Sequence, residues 1–181
     1  MKQNNTLNDE DRKIFTTALK LNRSDPWSTC IELLLRTGMR TEELTRLDTV
    51  KHINANKGTL YVNAAKGSND RLVPLDDEFI KHVQQMFNGP VLNKFNRSKL
   101  TFKRELARRF DKFKLKTLGY GYRDLTLHGL RAAFAQAVYV NCDNDIMLVK
   151  DLLGHKWVST TTIYMTGLNF TKKHKQIRGS I

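Results

Sequence analysis

The chain of 181 residues is sparing with cysteine, proline and acidic side chains. Its two cysteines, Cys30 and Cys142, lack metal-ligand spacing and fall in helical, partly apolar patterns, so they read as reduced packing residues. No apolar run approaches the roughly 20 residues that a membrane span requires. The start, MKQNNTLNDEDRK, lacks the apolar stretch of a signal peptide, and an intracellular protein with no membrane attachment is expected. Internal repeats, low-complexity linkers, a phosphate-binding glycine loop and clustered acidic ligands are all missing, so neither metal nor cofactor is expected. The length suits one domain with a real core and is too short for two.

What the chain has in excess is positive charge. Lys plus Arg number 31 against 18 Asp plus Glu, a net charge of +13. Between Lys94 and Arg123 there are 11 basic and 2 acidic residues, and Thr171 to Ile181 add 4 basic and none acidic, so these two stretches hold the whole excess. The remainder is neutral, as a soluble core would be. A polyanion is the expected partner, although charge alone does not choose among DNA, RNA and a membrane surface.

Periodicity gives a mainly α chain with a small antiparallel β-sheet, an α+β arrangement. A helix is expected from Asp9 to Leu21, capped by Asn8 with three acids in its first turn. Asp25-Pro26 opens another to Arg36, ended by Gly38, and a short one follows from Thr41 to Leu47. From Val50 to Leu75 the pattern changes to strands at Thr59–Val62 and Arg71–Leu75, with turns at 56–58 and 66–70. Pro74 then belongs at an edge or a strand end. Further helices are expected at Asp77–Met86, Ser98–Phe113, Leu127–Val140, Asn144–Leu153 and Ser159–Met165, with breaks at Gly119-Tyr-Gly121 and Gly154.

Against this frame stand two boxes, His128-Gly-Leu-Arg131 and Leu153-Gly-His155, with Tyr164 nine residues after His155. Arg131 follows His128 by three, so on a helix both project from one side. Two imidazoles, a phenol and arginine forks suit phosphodiester chemistry. A tyrosine hydroxyl, with a reference pKa of about 10, needs neighbours that take its proton and neutralise phosphate charge. Arg40 follows the glycine turn in Thr37-Gly-Met-Arg-Thr-Glu-Glu-Leu44, which points it away from the core face of Leu44 and Leu47. Taken singly, each of these residues reads as an ordinary surface or packed side chain; their order and spacing together do not.

The three boxes and the tyrosine resemble the tyrosine recombinase, or phage integrase, family over essentially its catalytic domain, from about Leu7 to the tail. The resemblance implies that Arg40 and Arg131 clamp the non-bridging oxygens of a scissile phosphate, which commonly lowers a barrier by about 3 to 4 kcal/mol per donor. It implies that His128 assists proton movement at the nucleophile, that His155 hydrogen-bonds the phosphate, and that Tyr164 attacks phosphorus to give a 3′-phosphotyrosyl bond and a free 5′-hydroxyl without metal or ATP. Lys66, in the Lys66-Gly-Ser-Asn-Asp70 turn, matches the family lysine that protonates the leaving oxygen, with Lys57 as a competitor. Glu43 matches an acidic position that supports an arginine or histidine from behind, or else caps its helix.

Double-stranded DNA is the implied partner, bound as a homotetramer on paired sites, with a monomer expected in its absence. Lys94, Lys99, Lys103, Arg104, Arg108 and Lys112 are the candidate DNA contacts, with Ser98 beside them. The expected domain is a single catalytic one over residues 1–181 with a basic tail from about 167. No N-terminal core-binding domain is expected, since only about 25 residues precede Pro26; an excised catalytic domain and a minimal recombinase both fit. Leu168, Phe170 and Ile177 are candidate anchors on a neighbouring subunit, with a disordered end as the simpler reading. Two departures from the family pattern, Ala132 after Arg131 and Met165-Thr166 after Tyr164, lie outside the catalytic set. The expected activity is site-specific strand exchange; the rivals are type IB topoisomerase-like relaxation and a DNA-binding accessory protein that does not cut.

Overall fold

The computed structural model describes residues 6–65 and 67–165. Helix α1 (Asp9–Leu21) starts where Asn8 accepts a hydrogen bond from the Asp11 N–H, 2.9 Å, with Asp9, Glu10 and Asp11 in its first turn. Helix α2 (Pro26–Thr37) starts on Asp25, whose carboxylate accepts from the amides of Trp27 and Ser28. Proline at its first position has no helical N–H to lose. Gly38 ends α2 at φ +60°, and a Cβ there would lie 2.4 Å from Phe134 Cδ1. Glycine is thus required by both backbone and space. Nearly every residue of α2 is buried, because α1, α6 and α7 all pack on it.

Helices α3 (Thr41–Leu44) and α4 (Thr49–His52) lead into a sheet of β1 (Ile53–Asn54), β2 (Thr59–Val62) and β3 (Arg71–Pro74), antiparallel and in that order. Leu60 faces Val73, Val62 faces Arg71, and Thr59 faces Pro74. Pro74 therefore sits at the end of an edge strand, as expected. The pleat buries Leu60, Val62, Arg71 and Val73 and exposes Tyr61 and Leu72, so Arg71 shares the apolar face.

The remaining helices are α5 (Asp77–Phe87), α6 (Lys99–Leu118), α7 (Leu127–Asn141) and α8 (Ile146–Leu153), after which residues 158–165 are helical. Phe15 and Leu19 of α1, Ile31 and Leu34 of α2, Phe102, Leu106 and Phe110 of α6, and Leu130 of α7 join one apolar cluster. Burying side chains of this size is worth about 1.5 to 3 kcal/mol each. Cys30 lies in that cluster, and Cys142 is half-buried outside it.

Several boundaries differ from expectation for identifiable reasons. Helix α3 stops at Leu44, and the chain turns through tighter bonds from Arg46 N to Glu43 O and Leu47 N to Leu44 O. Helix α8 starts at Ile146 because Asp145 caps it, while Asp143 and Asn144 take positive φ. Helix α6 runs on past Phe113 to Leu118. Its Lys114 is buried, donating to the carbonyls of Arg123 and Leu125 and pairing with Asp111 at 2.8 Å. This lysine belongs to the frame and not to the basic surface read from the sequence.

Candidate active site

The Gly38 turn brings Arg40 to the start of α3, where its backbone N–H donates to Glu43 Oε2, 2.7 Å. Thr126 caps α7 by accepting from the Gly129 N–H, 3.1 Å, which fixes the start of that helix and puts His128 and Arg131 one turn apart. Arg131 is 1 % exposed. It donates through Nη1 to Gly38 O and through Nη2 to Leu153 O, 2.7 Å, and to His155 Nε2, 2.9 Å. Its Nε is buried without a hydrogen-bond partner among the described residues. Burial and the nearby Arg40 and Arg71 lower its pKa to about 10, so it stays a cation at neutral pH. An uncompensated donor on a buried cation is costly unless something anionic completes it.

Tyr164 Oη lies 3.0 Å from His128 Nε2. Burial, and then the charges of Arg131 and Arg40, hold His128 below its ordinary value, so its ring is neutral at physiological pH and can accept the phenol proton. His155, 2 % exposed, stands 5.8 Å from the Tyr164 ring between centroids and bonds Thr161 Oγ1 through Nδ1, 2.8 Å. Its pKa is pushed down to about 4 by burial and by Arg131, Arg40 and Arg71. Nε2 faces Arg131 here.

Behind these groups lies a pair that motif reading does not reveal. Arg71 donates both Nη atoms to the carboxylate of Glu43, 3.0 and 2.8 Å, and its Nε to Leu152 O, 2.9 Å. The side chains are 3 % and 0 % exposed. Burial pushes the Glu43 carboxyl up, but the Arg71 fork, its charge and the Arg40 N–H pull it down further, leaving it below the usual range. Glu43 thus holds Arg71 by both carboxylate oxygens, stands 3.5 Å from Arg40 Nη1 and accepts the Arg40 N–H at the start of α3. Three parts of the chain meet on the Glu43–Arg71 pair: the Arg40 turn, strand β3 and, through the Arg71 bond to Leu152 O, the end of α8. The one sequence signal for Arg71 was its place two residues before Val73, which sets a charge on the apolar face of a strand.

The β2–β3 loop is tied to the same cluster. Ala65 N donates to Glu43 Oε1, 3.4 Å, Arg40 Nη1 donates to Ser68 Oγ, Ser68 forms a bridge with His155, and Asn69 N donates to Gly154 O, 2.8 Å. Gly154 has φ +67°, and a Cβ there would meet Asn69 O at 2.4 Å. Lys66 lies outside the described residues. Lys57 ends the turn Ala55–Lys57 and borders a groove with Lys51, His52 and Gln84, which includes none of the box residues.

The candidate contacts on α6 do not share one face. Lys103 reaches Glu42 at 2.9 Å, next to Glu43 and Arg40, and Lys99 is close enough to Glu42 to act on its carboxyl. Arg108 lies five residues beyond Lys103, about 140° around the helix, and bonds Glu105 at 2.6 and 3.0 Å. Lys112 lines a hollow with Asp25 and Trp27 at the start of α2, the opposite end of that helix from Gly38. Arg104 and Lys94 are exposed. The anchors Leu168, Phe170 and Ile177 and the basic tail lie outside the described residues. Those residues include no group of His, Cys, Asp and Glu able to hold a metal ion and no helix long and apolar enough to cross a membrane.

The model of the phage integrase family matches residues 4–169. The chain belongs to that family. Among curated relatives, tyrosine recombinase XerD of Pasteurella multocida is 35 % identical over 144 residues, 74 % of this chain and 48 % of that protein. XerA of Pyrococcus horikoshii is 29 % identical over 174 residues, 92 % and 56 % of the two chains. The integrase-family chain described here thus spans about half the length of the curated relatives it matches. The fold is that of the tyrosine recombinase catalytic domain. Its likeness to a crystal structure of XerA recombinase has a TM-score of 0.73 at 22 % identity, covering 98 % of this chain and 66 % of that one. The catalytic domain of bacteriophage HP1 integrase gives 0.62 at 21 %, covering 88 % and 85 %.

Proposed function

We propose that this chain cleaves and rejoins duplex DNA at specific sites, as the catalytic part of a recombinase. The observation that carries this reading is the Tyr164 Oη–His128 Nε2 bond of 3.0 Å beside a buried Arg131 whose Nε has no hydrogen-bond partner among the described residues. Arg131 and the more exposed Arg40 take the non-bridging oxygens of the scissile phosphate, where preorganised donors stabilise charge as it grows. The Tyr164 oxygen attacks phosphorus while its proton passes to His128 Nε2. The bond from phosphorus to the 5′ oxygen breaks, and Lys66 protonates that oxygen as it leaves as a hydroxyl. The 3′-phosphotyrosyl ester conserves the bond energy, so attack by a 5′-hydroxyl reseals a strand without ATP.

Duplex DNA lies along the face where Lys99 and Lys103 gather at Glu42, two residues on from Arg40, and strand exchange takes place in a homotetramer on paired sites. The XerH recombinase in a post-cleavage complex with its palindromic difH substrate has the same fold, with a TM-score of 0.75 at 21 % identity, covering 99 % of this chain and 54 % of that one.

The test uses a duplex selected from a random pool for binding, then nicked beside its centre and incubated with the protein in chelator. A covalent complex should survive denaturation, and Tyr164→Phe should bind the duplex yet give none. An adduct that persists in Tyr164→Phe would reassign the nucleophile. Relaxation of supercoiled plasmid by isolated monomers, with no joining of paired sites, would favour a topoisomerase instead.

A further inference from the structure

Both ring nitrogens of His155 are engaged, and the partners decide where its proton is. A guanidinium can only donate, so Nε2 accepts from Arg131 Nη2 at 2.9 Å. The ring is neutral at physiological pH. Its single proton therefore lies on Nδ1 and is donated to Thr161 Oγ1, 2.8 Å away. Thr161 is 0 % exposed and sits three residues before Tyr164 in the helical segment 158–165, on the same side of it. A buried threonine within a helix often turns its hydroxyl back to the preceding turn of its own backbone. This one reaches out of its helix to the loop after α8. Gln136 Nε2, donating to the Tyr164 carbonyl at 2.9 Å, ties the same segment to α7.

We propose that Thr161 is a positioning residue for strand cleavage: its hydroxyl holds His155 as the Nδ1–H tautomer, with the Nε2 lone pair on Arg131, and sets Tyr164 in register with the phosphate clamp. Without that hydroxyl, Nδ1–H loses its acceptor in a buried position. A proton moved to Nε2 would oppose an Arg131 N–H, and the guanidinium and the tyrosine would both shift. Cleavage would then suffer while DNA affinity, carried by many phosphate contacts, would not. The inference rests on Tyr164 as nucleophile.

Thr161→Val keeps the shape and removes the hydroxyl; Thr161→Ser keeps the hydroxyl and removes the methyl. On the nicked duplex, Thr161→Val should bind within about threefold of the parent and form adduct about 100-fold more slowly, the size of effect expected of a 1 Å misplacement. Thr161→Ser should recover most of that rate. Nitrogen-15 spectra of His155 should report the Nδ1–H tautomer in the parent and in Thr161→Ser, and its loss in Thr161→Val and Thr161→Ala, a signature that packing alone would not move. Parent-like cleavage by Thr161→Val, or an unchanged tautomer, would overturn the proposal, as would a serine variant as slow as valine. A parent chain that binds and gives no adduct would sink the nucleophile reading, and the nitrogen spectra would then decide by themselves whether Thr161 governs His155.

Discussion

Three arginines meet at the site, and the destinations of their donors tell them apart. Arg71 gives both Nη atoms to Glu43 and its Nε to Leu152 O; each of its three nitrogens has a partner, and it belongs to the frame. Arg131 is fixed through Nη1 and Nη2, and its Nε has no partner among the described residues. Arg40, with 30 % of its side chain exposed, is the one that faces solvent. In the reaction proposed above, the group whose titration would show is His128. It can accept the phenol proton only when neutral, and burial with Arg131 and Arg40 sets its folded value below 6.5. Adduct formation measured in single turnovers should therefore climb with pH through a midpoint below 6.5 and level off above it. A midpoint at 7 or higher would remove His128 from that step. Arg40, His128, Arg131, His155 and Tyr164 were legible in the sequence because each sits in a short box whose spacing survives folding. The Glu43–Arg71 pair was not, since its partners are 28 residues apart and only the docking of β3 against α3 brings them together.

At the level of elements, the long helices announced themselves through caps and periodicity, while α4, four residues long, has its Asp48 cap but too few side chains for a period, and β1, two residues long, has neither. The end of α6 was hidden for another reason. Lys114 looks like surface charge in a basic run, and its place under the carbonyls of Arg123 and Leu125 depends on a turn ahead of it in the chain. The same helix splits the candidate DNA contacts. Lys103→Ala should weaken duplex binding and lower the slope of log affinity against log salt by about one, whereas Lys112→Ala, near the far end of α2, should change neither. Titrations at several salt concentrations check this, and equal losses from the two variants would refute the placement of the duplex.

For the whole molecule, acid is the condition the site resists least. His82, His128 and His155 are all held below 6.5 in the folded chain, His155 at about 4, so the unfolded chain binds protons first as pH falls. A depressed folded pKa gives stability that is present above the unfolded value and lost on acidification. Thermal midpoints should thus begin to fall below pH 6.5, and fall faster below about 4.5 as Glu42, Glu43 and Glu105, all held below that value, also take up protons. For a chain of this size each kcal/mol corresponds to about 2 to 4 °C. Melting curves from pH 8 to 3 test it; a flat profile between 6.5 and 5 would show that the histidine pockets do not hold in solution.

Arg131 is fastened chiefly to the carbonyls of residues 38 and 153. Main-chain oxygens are the same whatever side chain is encoded at those positions, so no substitution there can delete the anchor itself; it can only move it. Descent with change can rewrite most of the surroundings and still hand on the anchored guanidinium, provided the glycine turn and the end of α8 keep their course. The part of the site hardest to lose by mutation is then the part that the genetic code does not spell out.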